Sequence, residues 1–418
     1  MITLIEALNF RCLRYISQPM GPFHVLVGPN ASGKTTFLDV VAFLGDLVSE
    51  GVEGAISERS QNFQDLVWAR SGDFFELAVE LRIPDALQGI SEAPFDTVRY
   101  EVSLGIDPQT REVRFRHEAA TLEINQPSHV ARKDFPRTIA SPKTLRKPWR
   151  GRQAHSIFER GLAGETLFYV EPSDPLFRHT PKLGFHFGAR KSALGNLPED
   201  VSKFPAATWL KSMLTTGVQQ VILNSLLMRK ASPPVKARTF EPDGSNLPWV
   251  IAELERTDPQ QIALWIAHLQ TALPDLVGIR TVEREDDRHK YLMLRYSGGF
   301  EVPSWMASDG TLRMLALTLP AYLPSFKGIY LIEEPENGIH PRAVQTMFQS
   351  LSSVYDAQIL MAAHSPVVLS IVDPRELLCF AKTAEEATDI VVGSDHPALR
   401  EWRHETNLGV LFAAGVLG

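Results

Sequence analysis

Cysteine is nearly absent. Cys12 and Cys379 stand at opposite ends of a 418-residue chain, which excludes a disulfide framework or a multi-cysteine zinc site and fits a reducing compartment. Long apolar runs are missing as well. No stretch reaches the ~18 consecutive apolar residues of a membrane span, and the most apolar late run, Ile359 to Val372, is interrupted by His364 and Pro366. The opening Met1-Ile2-Thr3-Leu4-Ile5-Glu6 lacks the basic-then-apolar layout of a secretory signal. The expectation is a cytoplasmic protein without a membrane partner. Positive charge is not in excess: the net charge is −7, so any nucleic-acid surface has to be local. There is no internal repeat and no long heptad pattern, which excludes an extended coiled-coil arm.

What is present is the composition of an ordinary globular chain, 44% hydrophobic and 22% charged. The length allows about two or three domains. Phe23 to Val27 is a short apolar run ending at a glycine, as in a buried strand. A helical pattern follows from Lys34 to about Leu47, with Phe37, Leu38, Val41, Phe43 and Leu44 on its apolar side. Phe74 to Ile83, Thr97 to Ile106 and Glu112 to Ile124 are rich in β-branched and aromatic residues and read as strands. From about Asn125 to Pro205, prolines and basic residues are frequent and periodicity is poor, which suggests a loop-rich insert. Helical character returns at Ala207 to Leu227 and at Leu247 to Leu273, and a strand-like stretch spans Lys290 to Val302. Ile329 to Ile332 and Gln358 to Ala362 are apolar runs typical of parallel strands, with a helix expected between them from Pro341 to Tyr355.

The strand–glycine junction carries the most specific motif. Gly28-Pro29-Asn30-Ala31-Ser32-Gly33-Lys34-Thr35 fits G-x-x-x-x-G-K-[ST], with a strand before it and a helix after it. Glycines let the backbone wrap phosphates closely, so that successive N–H groups point at the anion. The helix adds its positive end. Lys34 supplies a charge for the β- and γ-phosphates, and the Thr35 hydroxyl suits Mg²⁺.

A second feature is the apolar run Ile329 to Ile332, which leads directly into Glu333-Glu334-Pro335-Glu336. Adjacent carboxylates at a strand end suit metal and water chemistry. Glu333 is assigned to Mg²⁺ and Glu334 to the attacking water. Alone, such a run is more often a solvated acidic turn; the phosphate loop in the same chain favours the chemical reading. His364, in His364-Ser365-Pro366, stands at the tip of the last apolar strand and can donate to a γ-phosphate. Ser308-Asp309-Gly310-Thr311-Leu312-Arg313 opens a helical run from Leu312 to Leu319 and reads equally as an anion-binding helix start or as a simple N-cap.

With these four elements in order, the chain resembles an ABC-type ATPase. It is most similar to the RecF-like and SMC-like branch and to the ATPase half of OLD-family proteins. The matching residues are Gly28 to Thr36, Ser308 to Arg313, Glu333 to Pro341 and His364 to Pro366; Asp243 to Leu247 is also similar to a stretch of that branch. The resemblance covers about residues 1–125 and 205–372. It implies an α/β P-loop NTPase, an ABC ATPase head with a mixed sheet and a helical lobe. The expected division is a core lobe from 1–125 and 320–418, and a helical or insert lobe from 126–319. It further implies ATP and Mg²⁺ as ligands and a homodimer with two composite sites. Asn30, Ala31, Ser32, Gly33, Lys34, Thr35 and Thr36 would hold the nucleotide. Lys34, Glu334 and His364 would act in catalysis, with Thr35 and Glu333 on the metal. Ser308 and Gly310 would reach the nucleotide of the other subunit. Either Gln61 or Gln64 would serve as the family's Q-loop glutamine. Two departures count against a transporter ATPase: the signature is not Leu-Ser-Gly-Gly-Gln, and Glu333 stands where many relatives have Asp.

Fifty-two residues follow Pro366, with no sign of the TOPRIM nuclease domain that OLD-family proteins carry. The expectation is an ATPase subunit acting with a separate effector, such as a nuclease, in defence against phage or plasmid. An alternative is a RecF-like DNA-repair ATPase that binds double-stranded DNA through Arg132, Lys133, Arg137, Lys143, Arg146, Lys147, Arg150 and Arg152, with Trp149 available to stack. Another alternative is a non-hydrolysing nucleotide sensor or scaffold, against which the intact Glu334 argues.

Overall fold

The computed structural model describes residues 1–88, 95–124, 134–147, 154–162, 164–171, 182–236, 239–324 and 326–397. Its strands are β1 (Ile2–Phe10), β2 (Leu13–Pro19), β3 (Phe23–Val27), β4 (Phe74–Arg82), β5 (Thr97–Ile106), β6 (Val113–Glu123), β7 (Ala154–Arg160), β8 (Glu165–Tyr169), β9 (Lys182–His186), β10 (Val218–Val221), β11 (Leu276–Glu283), β12 (Lys290–Tyr296), β13 (Glu301–Pro303), β14 (Gly328–Glu333), β15 (Ala357–Ala362), β16 (Leu377–Lys382) and β17 (Thr388–Val392). Its helices are α1 (Lys34–Ser49), α2 (Gly51–Ser57), α3 (Asp85–Gln88), α4 (Pro205–Ser212), α5 (Ser225–Met228), α6 (Leu247–Thr257), α7 (Pro259–Leu269), α8 (Asp309–Thr318), α9 (Pro341–Ser352) and α10 (Pro366–Ile371).

Two large sheets enclose α1. The first is antiparallel, in the order β2-β1-β4-β5-β6-β7-β8-β9. Its strands alternate: Phe75, Leu77, Val79 and Leu81 of β4, and Val98, Tyr100, Val102 and Leu104 of β5, are buried in the core that includes Phe37, Val41 and Leu44 of α1. The second sheet runs β10-β14-β15-β3-β16-β17, parallel except for β17. Covered on both faces, β3 and β15 are buried throughout, as continuous apolar strands of parallel sheets are. One face meets α1; the other packs on α6, α7, α8 and α9. A small sheet, β11-β12-β13, completes the layer beyond.

This architecture is that of the mixed α/β ABC-type head, with several differences in detail. The helix expected from Ala207 to Leu227 is α4, a π turn at Met213–Gly217, the strand β10 and the short α5. Val218, Val221 and Gly217 explain the break. β10 pairs with β14, and Gly217 lies so close that a Cβ on Gly328 would stand 2.4 Å from its carbonyl oxygen; tertiary pairing overrides local propensity. The expected helix from Leu247 to Leu273 is split where Asp258 caps Gln261 and Pro259 begins a new helix. Lys290 to Val302 is a hairpin rather than one strand, turning at Gly299 with φ 80°. Within the helical or insert lobe expected from 126–319, β7 to β9 extend the first sheet and β10 joins the second. Among the described residues no helix is long and apolar enough to cross a membrane.

Candidate functional site

The phosphate-loop sequence lies between β3 and α1. Its backbone takes conformations that favour glycine at Gly28 (φ 147°) and Gly33 (φ 105°), and Ala31 is left-handed at φ 61°. No side chain caps α1, so the first N–H groups of the helix are directed into the loop. Asn30, Ala31 and Thr35 are exposed, Thr36 is half-buried, and Ser32, Gly33 and Lys34 are buried. The Lys34 ammonium donates to the carbonyls of Gly28 and Pro29 at 2.8 and 2.9 Å. Burial lowers its pKa, against the opposing pull of Glu334 and Glu333.

The loop is braced from behind by the β16–β17 hairpin. Thr388 Oγ1 donates to the Ser32 carbonyl at 2.8 Å, and the Thr388 N–H donates to the Cys12 carbonyl at 3.0 Å. A Cβ on Gly33 would stand 2.4 Å from Thr388 Oγ1, and one on Gly28 would stand 2.3 Å from the Phe380 carbonyl oxygen. These two positions therefore require glycine for space as well as for φ.

Across from the loop, parallel pairing brings the ends of β14 and β15 together, with Glu333 opposite Ala362. Thr35 Oγ1 donates to Glu333 Oε2 at 2.6 Å. A hydroxyl and a carboxylate at this separation are hard oxygen donors that suit Mg²⁺. Among the described residues no group of three or more His, Cys, Asp or Glu could hold a metal. One or two protein oxygens are what Mg²⁺ usually takes from a protein.

Glu334 follows with φ 46°, an uncommon conformation outside glycine. Two contacts hold it there. Its N–H donates to the Ala362 carbonyl at 2.8 Å, and Asn337 Nδ2 donates to its carboxylate. His364 Nε2 stands 3.9 Å from Glu334 Oε1, and the His364 N–H donates to Glu336 Oε1 at 2.6 Å. Burial lowers the His364 pKa, Lys34 adds to this, and Glu334 and Glu336 oppose it. Burial and Lys34 thus favour the neutral imidazole, a form that donates from one ring nitrogen.

Lys34, Thr35, Glu333, Glu334 and His364 thus converge at one end of the parallel sheet. Ser308 and Gly310 lie to one side. Ser308 caps α8 by accepting from the Thr311 N–H at 3.1 Å. Arg229 secures the turn through Asp309 at 2.6 Å and the Ala307 carbonyl at 3.0 Å. Gly310 abuts the acidic turn so closely that a Cβ would stand 2.8 Å from the Gly338 oxygen. Neither Ser308 nor Gly310 lines the cavity of about 700 Å³ beside Thr35, Glu333 and Glu334.

That cavity contains residues that the sequence reading passed over. Gln220 lines it, whereas Gln61 and Gln64 do not. Gln220 is placed by the register of β10, opposite Leu331 of β14, a pairing hidden by the helical pattern around it. Asp39, one turn beyond Thr35, pairs with Arg11 at 3.0 Å and Arg59 at 2.6 Å. Arg59 also reaches Asp46 at 2.8 Å. Burial works against the Arg59 charge, but Asp39 and Asp46 outweigh it and raise its pKa.

Two cations of the basic stretch, Arg146 and Lys147, meet side chains of the chain itself. Lys147 pairs with Glu80 at 2.6 Å and Glu123 at 3.2 Å, and Arg146 contacts His117. Leu145 packs on Leu8 and Ala78 of the first sheet's outer face. The Arg137 N–H donates to Asp389 at 2.9 Å, and Lys143 is exposed. Arg132, Lys133, Trp149, Arg150 and Arg152 lie outside the described residues, as does the chain from 398 onward.

Known proteins share this fold. The chain is similar to the SMC head in a crystal structure of SmcHead bound to the C-winged helix domain of ScpA, with a TM-score of 0.51 and 12% identity over 93% of this chain and 97% of that one. It is also similar to the Smc head domain with an extended coiled coil from Pyrococcus furiosus, with a TM-score of 0.49 and 13% identity over 96% and 99% of the two chains. At such identities the first likeness shows the fold alone, an ABC-type ATPase head. A 48-residue stretch is 46% identical to an OLD nuclease of Thermus scotoductus, but it covers only 11% of this chain and 9% of that protein. The family described as "AAA domain, putative AbiEii toxin, Type IV TA system" matches residues 23–370, and the chain belongs to that family, as an AAA-type ATPase with an SMC-head fold.

Proposed function

We propose that the chain binds ATP with Mg²⁺ and hydrolyses it to ADP and phosphate as one half of a head-to-tail homodimer. The observation that carries this reading is the convergence at one strand end of a Thr35–Glu333 pair at 2.6 Å and a Glu334–His364 pair at 3.9 Å. Residues 28–36 hold the phosphates, and Lys34 exchanges its two carbonyl partners for phosphate oxygens. Mg²⁺ held by Thr35 and Glu333 would neutralise phosphate charge. Glu334 orients the attacking water and accepts its proton as the bond from the γ-phosphorus to the ADP oxygen breaks. His364 donates to the γ-phosphate from a ring nitrogen. Ser308 and Gly310, outside the cavity of their own subunit, serve the nucleotide of the other.

In this reading ATP closes the dimer and hydrolysis reopens it, a population shift set by contacts to the γ-phosphate. The switch acts on a separate effector such as a nuclease, in defence against phage or plasmid. The family description names a putative toxin of a toxin–antitoxin system, and one relative is named a nuclease; both support an effector-linked role. A DNA-binding role draws less support, because Arg146 and Lys147 already face His117, Glu80 and Glu123.

The test is ATP turnover of the purified chain, with and without linear double-stranded DNA, beside Glu334→Gln. Turnover in the wild type that the variant loses while still binding ATP supports the proposal. Stimulation by DNA would move the trigger from a protein effector to nucleic acid. A wild-type rate no higher than that of Glu334→Gln, in both conditions, would overturn hydrolysis and leave a nucleotide sensor.

A further inference from the structure

Glu336 has no part in the scheme above, yet it occupies a specific place in the same site. The ladder between β14 and β15 ends at Glu333 and Ala362. Beyond it, the Glu334 N–H still reaches the Ala362 carbonyl, while the Ala363 N–H turns to Leu26 of β3. The left-handed backbone of Glu334 then carries the chain away from β15. The next N–H on that side, at His364, is met by a side chain: Glu336 Oε1 accepts it at 2.6 Å. The other oxygen, Oε2, is buried and has no hydrogen-bond partner among the described residues. A buried carboxylate oxygen without a partner carries a desolvation cost.

We infer that Glu336 is a positioning residue of this site, holding the His364 peptide so that the imidazole stays beside Glu334. The inference rests on the hydrolytic reading and adds a second carboxylate role to it. Glu333 meets Thr35, and Glu334 stands beside the His364 imidazole. Glu336 faces the histidine-bearing strand end and ties the two together. Its charge also opposes the effect of burial and of Lys34 on His364.

The experiment uses the full chain with Glu336→Ala and Glu336→Gln, each alone and combined with His364→Ala. Three quantities are read: kcat for ATP, KM for ATP, and hydrogen exchange of the His364 backbone amide by NMR. Glu336→Ala is expected to lower kcat about 10- to 100-fold, the equivalent of one lost charge-assisted hydrogen bond, with KM changed by less than roughly twofold. Its His364 amide should exchange faster than in the wild type. Glu336→Gln, whose amide oxygen still accepts, should recover most of the amide protection and much of kcat. On the His364→Ala background, Glu336→Ala should add nothing further. Where Glu336→Ala fails to fold, Glu336→Asp, which withdraws the oxygen by one methylene, replaces it.

Unchanged His364 exchange in Glu336→Ala would overturn the inference. So would a kcat loss that persists in full without His364. If the wild type shows no turnover above Glu334→Gln, the hydrolytic reading fails by itself, and the amide measurement still decides whether Glu336 holds His364.

Discussion

Replacing Thr388 by valine tests whether the phosphate loop is held in shape by a hairpin that follows it by more than 350 residues. Thr388 is 3% exposed, and its hydroxyl donates to the Ser32 carbonyl at 2.8 Å. Valine keeps the shape and the backbone link to Cys12 but leaves that carbonyl without its donor. An unsatisfied buried acceptor costs about 1–3 kcal/mol. If the whole cost falls on the loop conformation that receives phosphates, the loss in ATP affinity is about 5- to 150-fold. Thr388→Ser, which keeps the hydroxyl, should lose far less. Calorimetric ATP titration measures the affinity, and thermal unfolding measures the global cost. Lower stability with unchanged ATP affinity would refute the reasoning, because the brace would then support the fold without shaping the loop.

Other outcomes follow from the same geometry. Gly310→Ala would place a Cβ 2.8 Å from the Gly338 oxygen; turnover should fall by about tenfold or more while the isolated chain still binds ATP, since one strained contact is worth about 1–3 kcal/mol. Arg99 is 1% exposed and pairs with Glu6, Glu80 and Glu101 at 2.7, 3.0 and 2.9 Å. Arg99→Met would strand these carboxylates and should cost about 3–5 kcal/mol in denaturant unfolding. Burial pushes Glu171 up to about 7 from an ordinary 4.5, although the N–H groups of Ala206 and Ala207 oppose it. The folded chain therefore binds this proton more tightly than the unfolded chain, so stability falls as pH rises from about 4.5 through about 7. Glu171→Gln should flatten that part of the stability–pH profile, by about 2–3 kcal/mol.

Much of the fold was legible because its elements are locally consistent. Phe23 to Val27, Phe74 to Ile83 and Thr97 to Ile106 are β-branched and aromatic in sequence, and they are strands within a residue or so. α1 begins at Lys34, as expected from the phosphate loop before it. The misread stretch at Ala207 to Leu227 marks the boundary of such reasoning. Val218 to Val221 are only four residues, too few to show a period of two, and their state is decided by the edge of β14 that they pair with. β7 to β9 were obscured differently: they lie among prolines and basic residues whose composition suggests loops, although Phe158 and Phe168 are fully buried.

The site divides along the same line. Lys34, Thr35, Glu333, Glu334 and His364 were legible because each stands at a strand end or helix start, where local sequence fixes both residue type and position. The places of Gln220 and Thr388 were not, since each is set by a strand register or a hairpin contact that local pattern does not encode. The basic stretch shows the converse. Its charge suggested phosphate contacts, but the outer face of the first sheet carries Glu6, Glu76, Glu80 and Glu101, alternating with the core positions of β1, β4 and β5. That alternation is visible in the sequence and leaves a buried acidic face in need of cations. Arg99 and Lys147 supply them, while Leu145 and Thr144 bring the strap down onto Glu76. A run of basic residues is therefore evidence for an external polyanion only after the acidic faces of the chain's own strands have been counted.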